Sequence, residues 1–178
     1  MTAKAPPRIT PSYIENAALH YLERFASSRA NLRRVLMRKV DRSLAHWGGE
    51  REQAAAMVDA VMAKLAGLGY VDDARFAEMK AASLHRRGTS ARMIRARLAA
   101  KGVDAEATAA GLAAIDTDEP DLAAAVNLAR RRRLGPFRPP ETRADFRDKD
   151  AATLARAGFS WDVVRQVIEA EDGEALLD

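Results

Sequence analysis

Cysteine is absent, so neither a disulfide framework nor a thiolate metal site can form. That suits the cytoplasm, which is the compartment expected. Histidine occurs three times, at His20, His46 and His85, too widely separated to suggest a metal centre. Aromatic residues make up only 6% of the chain. Strand formers are therefore sparse, and stacking platforms for nucleobases are few. No run of eighteen uncharged apolar residues occurs, so no membrane span is expected. The opening MTAKAPPRITPS has no apolar leader segment, and residues 1–11 read as a flexible N-terminal tail. There is no glycine-rich phosphate loop, no Gly-x-Ser-x-Gly elbow and no dinucleotide fingerprint. Asp72 and Asp73 diverge at a helix start and read as caps, not as a catalytic pair. The expectation is a non-enzyme with no cofactor, no metal and no catalytic residue.

What is present is alanine, in abundance, within a chain of 178 residues that is 48% hydrophobic and 30% charged. Alanine costs least in a helix, so an all-α fold is expected. The net charge is +4, a small excess that favours an anionic partner only where cations cluster.

The chain repeats its own punctuation. LAAKGVDAE starts at Leu98 and LARAGFSWD at Leu154, 56 positions apart. In each, a glycine suits the left-handed position past a helix end, an apolar residue packs, and Asp104 or Ser160 caps the next helix. A second offset, 62, aligns SSRANLRRVLMRK (27–39) with TSARMIRARLAAK (89–101). Three units of three helices follow: 12–71, 72–117, and 118–170 with a Pro-rich loop at 134–147. An acidic tail, 171–178, closes the chain. Short units bury little alone and must stack, so an elongated, curved array is expected.

Period and caps place the helices. Ser12-x-x-Glu15 reads as a capping box opening a helix to about Ala26, with Ile14, Leu19, Tyr21, Leu22 and Phe25 available to the core. Ser27 or Ser28 starts the second. Further helices are expected at about 51–67, 73–87, 90–101, 104–115, 118–133, 148–157 and 160–170. Val40 stands where the other units have glycine, and 41–50 is expected to lengthen the first junction. Tyr70 and Phe76 read as packing between units. Trp47 reads as a lid on the first unit and Trp161 as core. Phe137 either anchors its loop or meets a partner.

GYVDDARFA (69–77), with LRRVLMRK, LAAKGVD and LARRRRLGPF in this order, resembles the RecX family of regulatory proteins over about residues 12–170. The resemblance implies tandem three-helix repeats. It also implies a modulator that lies along the groove of the RecA–single-stranded-DNA filament and restrains its ATPase, strand exchange and coprotease functions.

Charge is sorted along the chain. Arg24 to Lys39, Met79 to Val103 and Leu122 to Pro140 carry bases and no acid. Asp104 to Asp121 and the tail from Glu169 carry acids and no base. Dipole-matched helix ends explain part of this. Its recurrence in each repeat suggests a cationic stripe for a long anionic partner. The contact candidates are Arg33, Arg34, Arg38, Arg92, Arg95, Arg97 and Lys101, chosen for charge and not carried over from the family. In the Arg130–Arg133 run, helix-end arginine is preferred to direct contact. The partner expected is the RecA filament, with single-stranded or duplex DNA as a further contact, and the chain is expected to be monomeric. Three alternatives stay open: a sequence-independent nucleic-acid binder acting without RecA, a helix-turn-helix reader, and a structural adaptor.

Overall fold

The computed structural model describes residues 5–177, and these form nine α-helices and no strand. They are α1 (Pro11–Leu22), α2 (Arg29–Trp47), α3 (Arg51–Gly67), α4 (Asp73–Arg86), α5 (Ala91–Ala100), α6 (Ala105–Ala113), α7 (Pro120–Arg132), α8 (Arg143–Arg156) and α9 (Trp161–Glu169). Two compact units hold them: Met1–Phe76 with Lys101–Val103, and Ala77–Ala100 with Asp104–Asp178.

In the first unit, α1, α2 and α3 close around Ile14, Ala18, Leu32, Leu36, Val40, Val58, Val61 and Leu65. Their three- and four-residue spacings put each helix's apolar stripe on one side. The capping box expected at Ser12 is not formed. Thr10 caps α1 two residues earlier by accepting from the Tyr13 N–H at 3.1 Å, with Pro11 pre-set at the first helical position. Glu15 instead accepts from Lys64 Nζ at 2.7 Å. Because α1 stops at Leu22, Phe25 leaves the stripe; it is exposed and lies against Tyr21.

The first junction is a longer helix, not a longer loop. Without a glycine at position 40, nothing ends α2, and Val40 itself is buried. The helix runs on to Trp47, where Gly48 and Gly49 turn the chain at positive φ. Trp47 then fastens the segment before α1. Its Nε1 donates to the Pro6 carbonyl at 2.7 Å, the Arg8 guanidinium sits 4.5 Å from its ring centre, and Ser43 Oγ donates to the Pro7 carbonyl. Of the expected tail, residues 1–4 lie outside the described residues.

Tyr70 is 58% exposed and does not pack as expected. The corner after α3 holds one residue more than the Gly102 corner, so Val71, 2% exposed, takes the inward place that Val103 takes there. Asp72 then caps α4 by accepting from the Arg75 N–H at 3.0 Å.

A two-part joint recurs within each unit. In the first, Ser28 caps α2 and its hydroxyl donates to the Lys101 carbonyl. The next N–H, of Arg29, donates to Asp73 Oδ1 at 2.7 Å. In the second, Ser90 Oγ donates to the Ala157 carbonyl at 3.0 Å, and the Ala91 N–H donates to Asp121 Oδ1 at 2.7 Å. Each joint closes on a left-handed glycine. A Cβ on Gly102 (φ +75°) would sit 2.4 Å from Ala30 Cβ, and one on Gly158 (φ +94°) 2.7 Å from Ser90 Oγ. The serines complete helix starts while taking up carbonyls that a helix end leaves free.

In the second unit, α6 meets α4 at backbone distance. A Cβ on Gly111 would lie 2.8 Å from the Ala77 carbonyl carbon. α7, α8 and α9 enclose Val126, Leu128, Leu154, Phe159, Val164 and Val167. Trp161 is 66% exposed rather than core; it lies at the edge of the α9 stripe that Val163, Val164, Val167 and Ile168 set. Pro120 opens α7 after Glu119, and Asp118 is not its cap.

The Pro-rich segment is a fastened plug. Short 3-10 turns at Gly135–Phe137 and Pro140–Thr142 lead into α8, which starts five residues before the expected position. Phe137 anchors the plug on the α7–α9 core. Asp150, 1% exposed, accepts from the Gly135 N–H at 2.8 Å and from both arms of Arg138 at 2.6 and 2.8 Å. Arg143 donates to the carbonyls of Pro136, Arg138 and Glu171. In the acidic tail, Glu174 pairs with Arg130.

Gly102→Ala should lose about 1–2 kcal/mol to the left-handed backbone and a further ~1–3 kcal/mol to the close approach. Gly69→Ala, at the same φ of +75° but facing open space, should lose only the first part. Urea unfolding of the full chain measures both, and equal losses would show that the close approach contributes nothing.

Burial pushes the Asp150 carboxyl up, but the Arg138 guanidinium and the Gly135 N–H outweigh it and hold it below the ordinary aspartate value. A depressed carboxylate stabilises the folded state above its unfolded value of 3.8, and that stability is lost as pH falls through its folded value. Asp150→Ala should therefore destabilise the chain at neutral pH by about 3 kcal/mol. It should also flatten the fall in stability below pH ~4, followed by ellipticity. An unchanged acid profile would exclude Asp150 as its source.

Candidate functional site

Four helices of the second unit end around one cleft of about 450 Å³. Arg87 follows α4; Arg97, Arg131 with Arg132, and Arg156 lie in the last turns of α5, α7 and α8. Thr89, Thr153, Met93, Leu84 and Leu128 also line it, and among the described residues no carboxylate does. Among the described residues no acid lies within ion-pair distance of any of the five arginines. Arg156 turns back on its own helix, donating from Nε to the Ala152 carbonyl at 3.1 Å.

The cleft exists because the helix ends are sharp. Gly88 (φ +73°) ends α4, and a Cβ there would meet the Leu128 nitrogen at 2.6 Å. Arg133, at φ 55°, ends α7 without a glycine. At both ends the N–H beyond the left-handed residue bonds five positions back, Thr89 to Leu84 and Leu134 to Ala129.

Only one of the residues singled out from the sequence lines this cleft. Arg97 does, whereas Arg95 borders a different, mainly apolar pocket with Ile94, Leu112 and Ile115, and Arg92 lies against Gly158. In the first unit, Arg34 and Arg38 are exposed one turn apart on α2. Arg33 faces α3 instead and grips Asp59 through Nε at 2.6 Å and Nη2 at 3.0 Å. Hydrogen bonding to Arg33 lowers the Asp59 carboxyl, and the same pair raises Arg33. Lys101 reaches Asn31 Oδ1 at 3.4 Å.

Sequence reasoning passed over Arg87, Arg131, Arg132 and Arg156 as contacts. The first three lie in the acid-free windows, and their shared position at helix ends was the available signal. Arg156 lies among acids in sequence, and only folding separates it from them. Arg130 follows the helix-end expectation differently, pairing with Glu174 and covering Phe137 at 5.8 Å.

The chain is 47% identical over 168 residues to the "Regulatory protein RecX" of Myxococcus xanthus, covering 94% of this chain and 90% of that protein. It belongs to the RecX family. The Agrobacterium fabrum protein of the same name is 32% identical, with 90% of this chain and 87% of that one covered. The family model for the second three-helix domain of RecX matches residues 72–112. The crystal structure of RecX from Lactobacillus salivarius superposes with a TM-score of 0.64 over 90% of this chain and 96% of that one, at 22% identity, a likeness of fold. The all-helical expectation and the RecX resemblance are thus both met, and the family is one of regulatory proteins.

The Arg33–Asp59 pair is about half exposed on both sides. Asp59→Asn should change stability by less than about 1 kcal/mol, read by urea unfolding. A larger loss would mean that Arg33 is committed to holding α2 on α3.

Proposed function

We propose that this chain is a non-catalytic regulator of recombination and repair. It binds the groove of the RecA–single-stranded-DNA filament and inhibits RecA ATPase, strand exchange and coprotease activity. The observation that carries this reading is the 47% identity to a regulatory protein RecX along nearly the whole chain. Exposed arginines with no carboxylate partner among the described residues, such as Arg34, Arg38 and Arg97, support it, since a filament of protein and DNA presents acids and phosphates.

In this reading the repeats at 12–71, 72–117 and 118–170 are the working units, and the chain acts as a cytoplasmic monomer. No helix among the described residues is long and apolar enough to cross a membrane. The contacts come from Arg33, Arg34, Arg38, Arg92, Arg95, Arg97 and Lys101. Arg33 takes part by exchanging Asp59 for an acid or phosphate of the partner, at little cost because the pair is exposed. By bridging neighbouring RecA subunits the chain opposes the rearrangement that accompanies ATP turnover.

The arginine cleft favours a second reading, sequence-independent nucleic-acid binding without RecA. Salt separates the two. A binder dominated by phosphate contacts loses orders of magnitude in affinity between ~50 and ~200 mM salt, whereas a binder of a protein groove depends less steeply on salt and needs RecA.

RecA ATPase on single-stranded DNA should fall when the chain is added. Arg92→Ala, Arg95→Ala and Arg97→Ala together should weaken that inhibition at least tenfold in the concentration required. Undiminished ATPase with the unaltered chain removes the RecA reading, while a fully inhibitory triple variant removes only these three contacts.

A further inference from the structure

The cleft of Arg87, Arg97, Arg131, Arg132 and Arg156 has more positive charge than its surroundings account for. Helix C-termini attract arginine, and four of them end here. Each helix end carries about −0.5 charge, some −2 in all, against five guanidinium groups, so about +3 remains. Among the described residues no side-chain acid lies within ion-pair distance to cancel the excess. Like charges gathered this way repel. An anion that enters removes that repulsion and gains charge-assisted hydrogen bonds from planar forks suited to paired oxygens.

The walls narrow the class of anion. The volume of about 450 Å³ is that of a small-ligand cleft, about 300–1,000 Å³. Among the described residues no aromatic ring lines it, so they offer no platform for a base. Thr89 adds a hydroxyl to the wall, whereas the Thr153 hydroxyl already donates to the Lys149 carbonyl at 2.8 Å. A residual charge of about three within so small a space is matched by phosphates close together. A peptide brings one carboxylate per side chain and must order each long side chain to do so.

We infer that this cleft is a binding site for adjacent phosphate groups of a phosphate chain, read through their oxygens without contact to a base. Two sources share that chemistry, the backbone of a nucleic-acid strand and a free oligophosphate. The inference stands on the cleft alone and does not depend on RecA.

The test uses the full chain at low salt with three probes: inorganic triphosphate, a fluorescent oligothymidylate and a poly-glutamate peptide. Arg97→Gln with Arg131→Gln is compared with Lys80→Gln with Arg165→Gln, which removes the same charge from outside the cleft. Circular dichroism checks that both variants fold. The cleft variant should bind at least one phosphate probe tenfold or more weakly, while the control variant binds within about twofold of the unaltered chain. If the strand is the source, oligothymidylate affinity falls and the slope of its logarithm against that of salt drops by about 1.4. If a free oligophosphate is the source, only triphosphate binding falls. Equal binding of both phosphate probes by the unaltered chain and the cleft variant overturns the inference. So does poly-glutamate binding as tightly as triphosphate through the same arginines, which would make the cleft a peptide site. RecA ATPase is read separately, so failure of the regulator reading leaves this result standing.

Discussion

The joint between a serine hydroxyl, a helix-end carbonyl and a left-handed glycine is what the architecture hangs on. A helix leaves its last carbonyls and another its first N–H groups without partners, and burying either costs more than a hydrogen bond returns. Ser28 and Ser90 answer both needs with one oxygen, accepting from their own helix and donating to Lys101 or Ala157. Asp73 and Asp121 take the next N–H as carboxylates, which strengthens the bond. None of this is reachable unless the chain beyond the receiving carbonyl bends away with no side chain in the gap. That is why glycine stands at 102 and 158, for space as much as for φ.

The same sharp endings place the charge. A helix that stops abruptly presents bare carbonyls, and arginine in its last turn offsets them. One such end is ordinary. Around the second unit's cleft the last turns of several helices are gathered, and their arginines with them. Electrostatic crowding is thus a by-product of packing short helices by their ends, and in this cleft it exceeds what the dipoles neutralise. Arg138 shows the contrast. It is also an arginine beside a helix, but Asp150 takes both its arms and Phe146 lies 4.2 Å beneath it, so it holds the plug and is spent on structure.

How much was legible depended on range. Gly102-Val103-Asp104 and Gly158-Phe159-Ser160 could be read residue by residue because each role is local: a positive φ, an inward apolar side chain, a cap on an N–H three residues on. Errors came where a local signal competed with another. Thr10-Pro11 displaced Ser12 as the start of α1, since proline fixes the first helical φ. The missing glycine at Val40 was visible, but a helix passing straight through DRSLAHW was the simpler consequence. The start of α8 was hidden by Pro139 and Pro140, which read as loop, whereas they lead through a tight turn directly into Arg143.

The site was less legible than the fold because acid-free windows report sequence neighbours, and ion pairing depends on spatial ones. Arg33 and Arg34 are adjacent in the same basic window, yet Arg33 meets Asp59 across to α3 while Arg34 faces outward. Arg156 shows the reverse, with acids before and after it in sequence and none within ion-pair distance in space among the described residues. A helix rotates successive side chains by about 100°, so a run of like charge along the chain is divided among faces. What gathers charge again is the convergence of helix ends, and that is set by the glycine corners and the serine joints. The route from sequence to the cationic cleft therefore passes through glycine and serine before it reaches arginine.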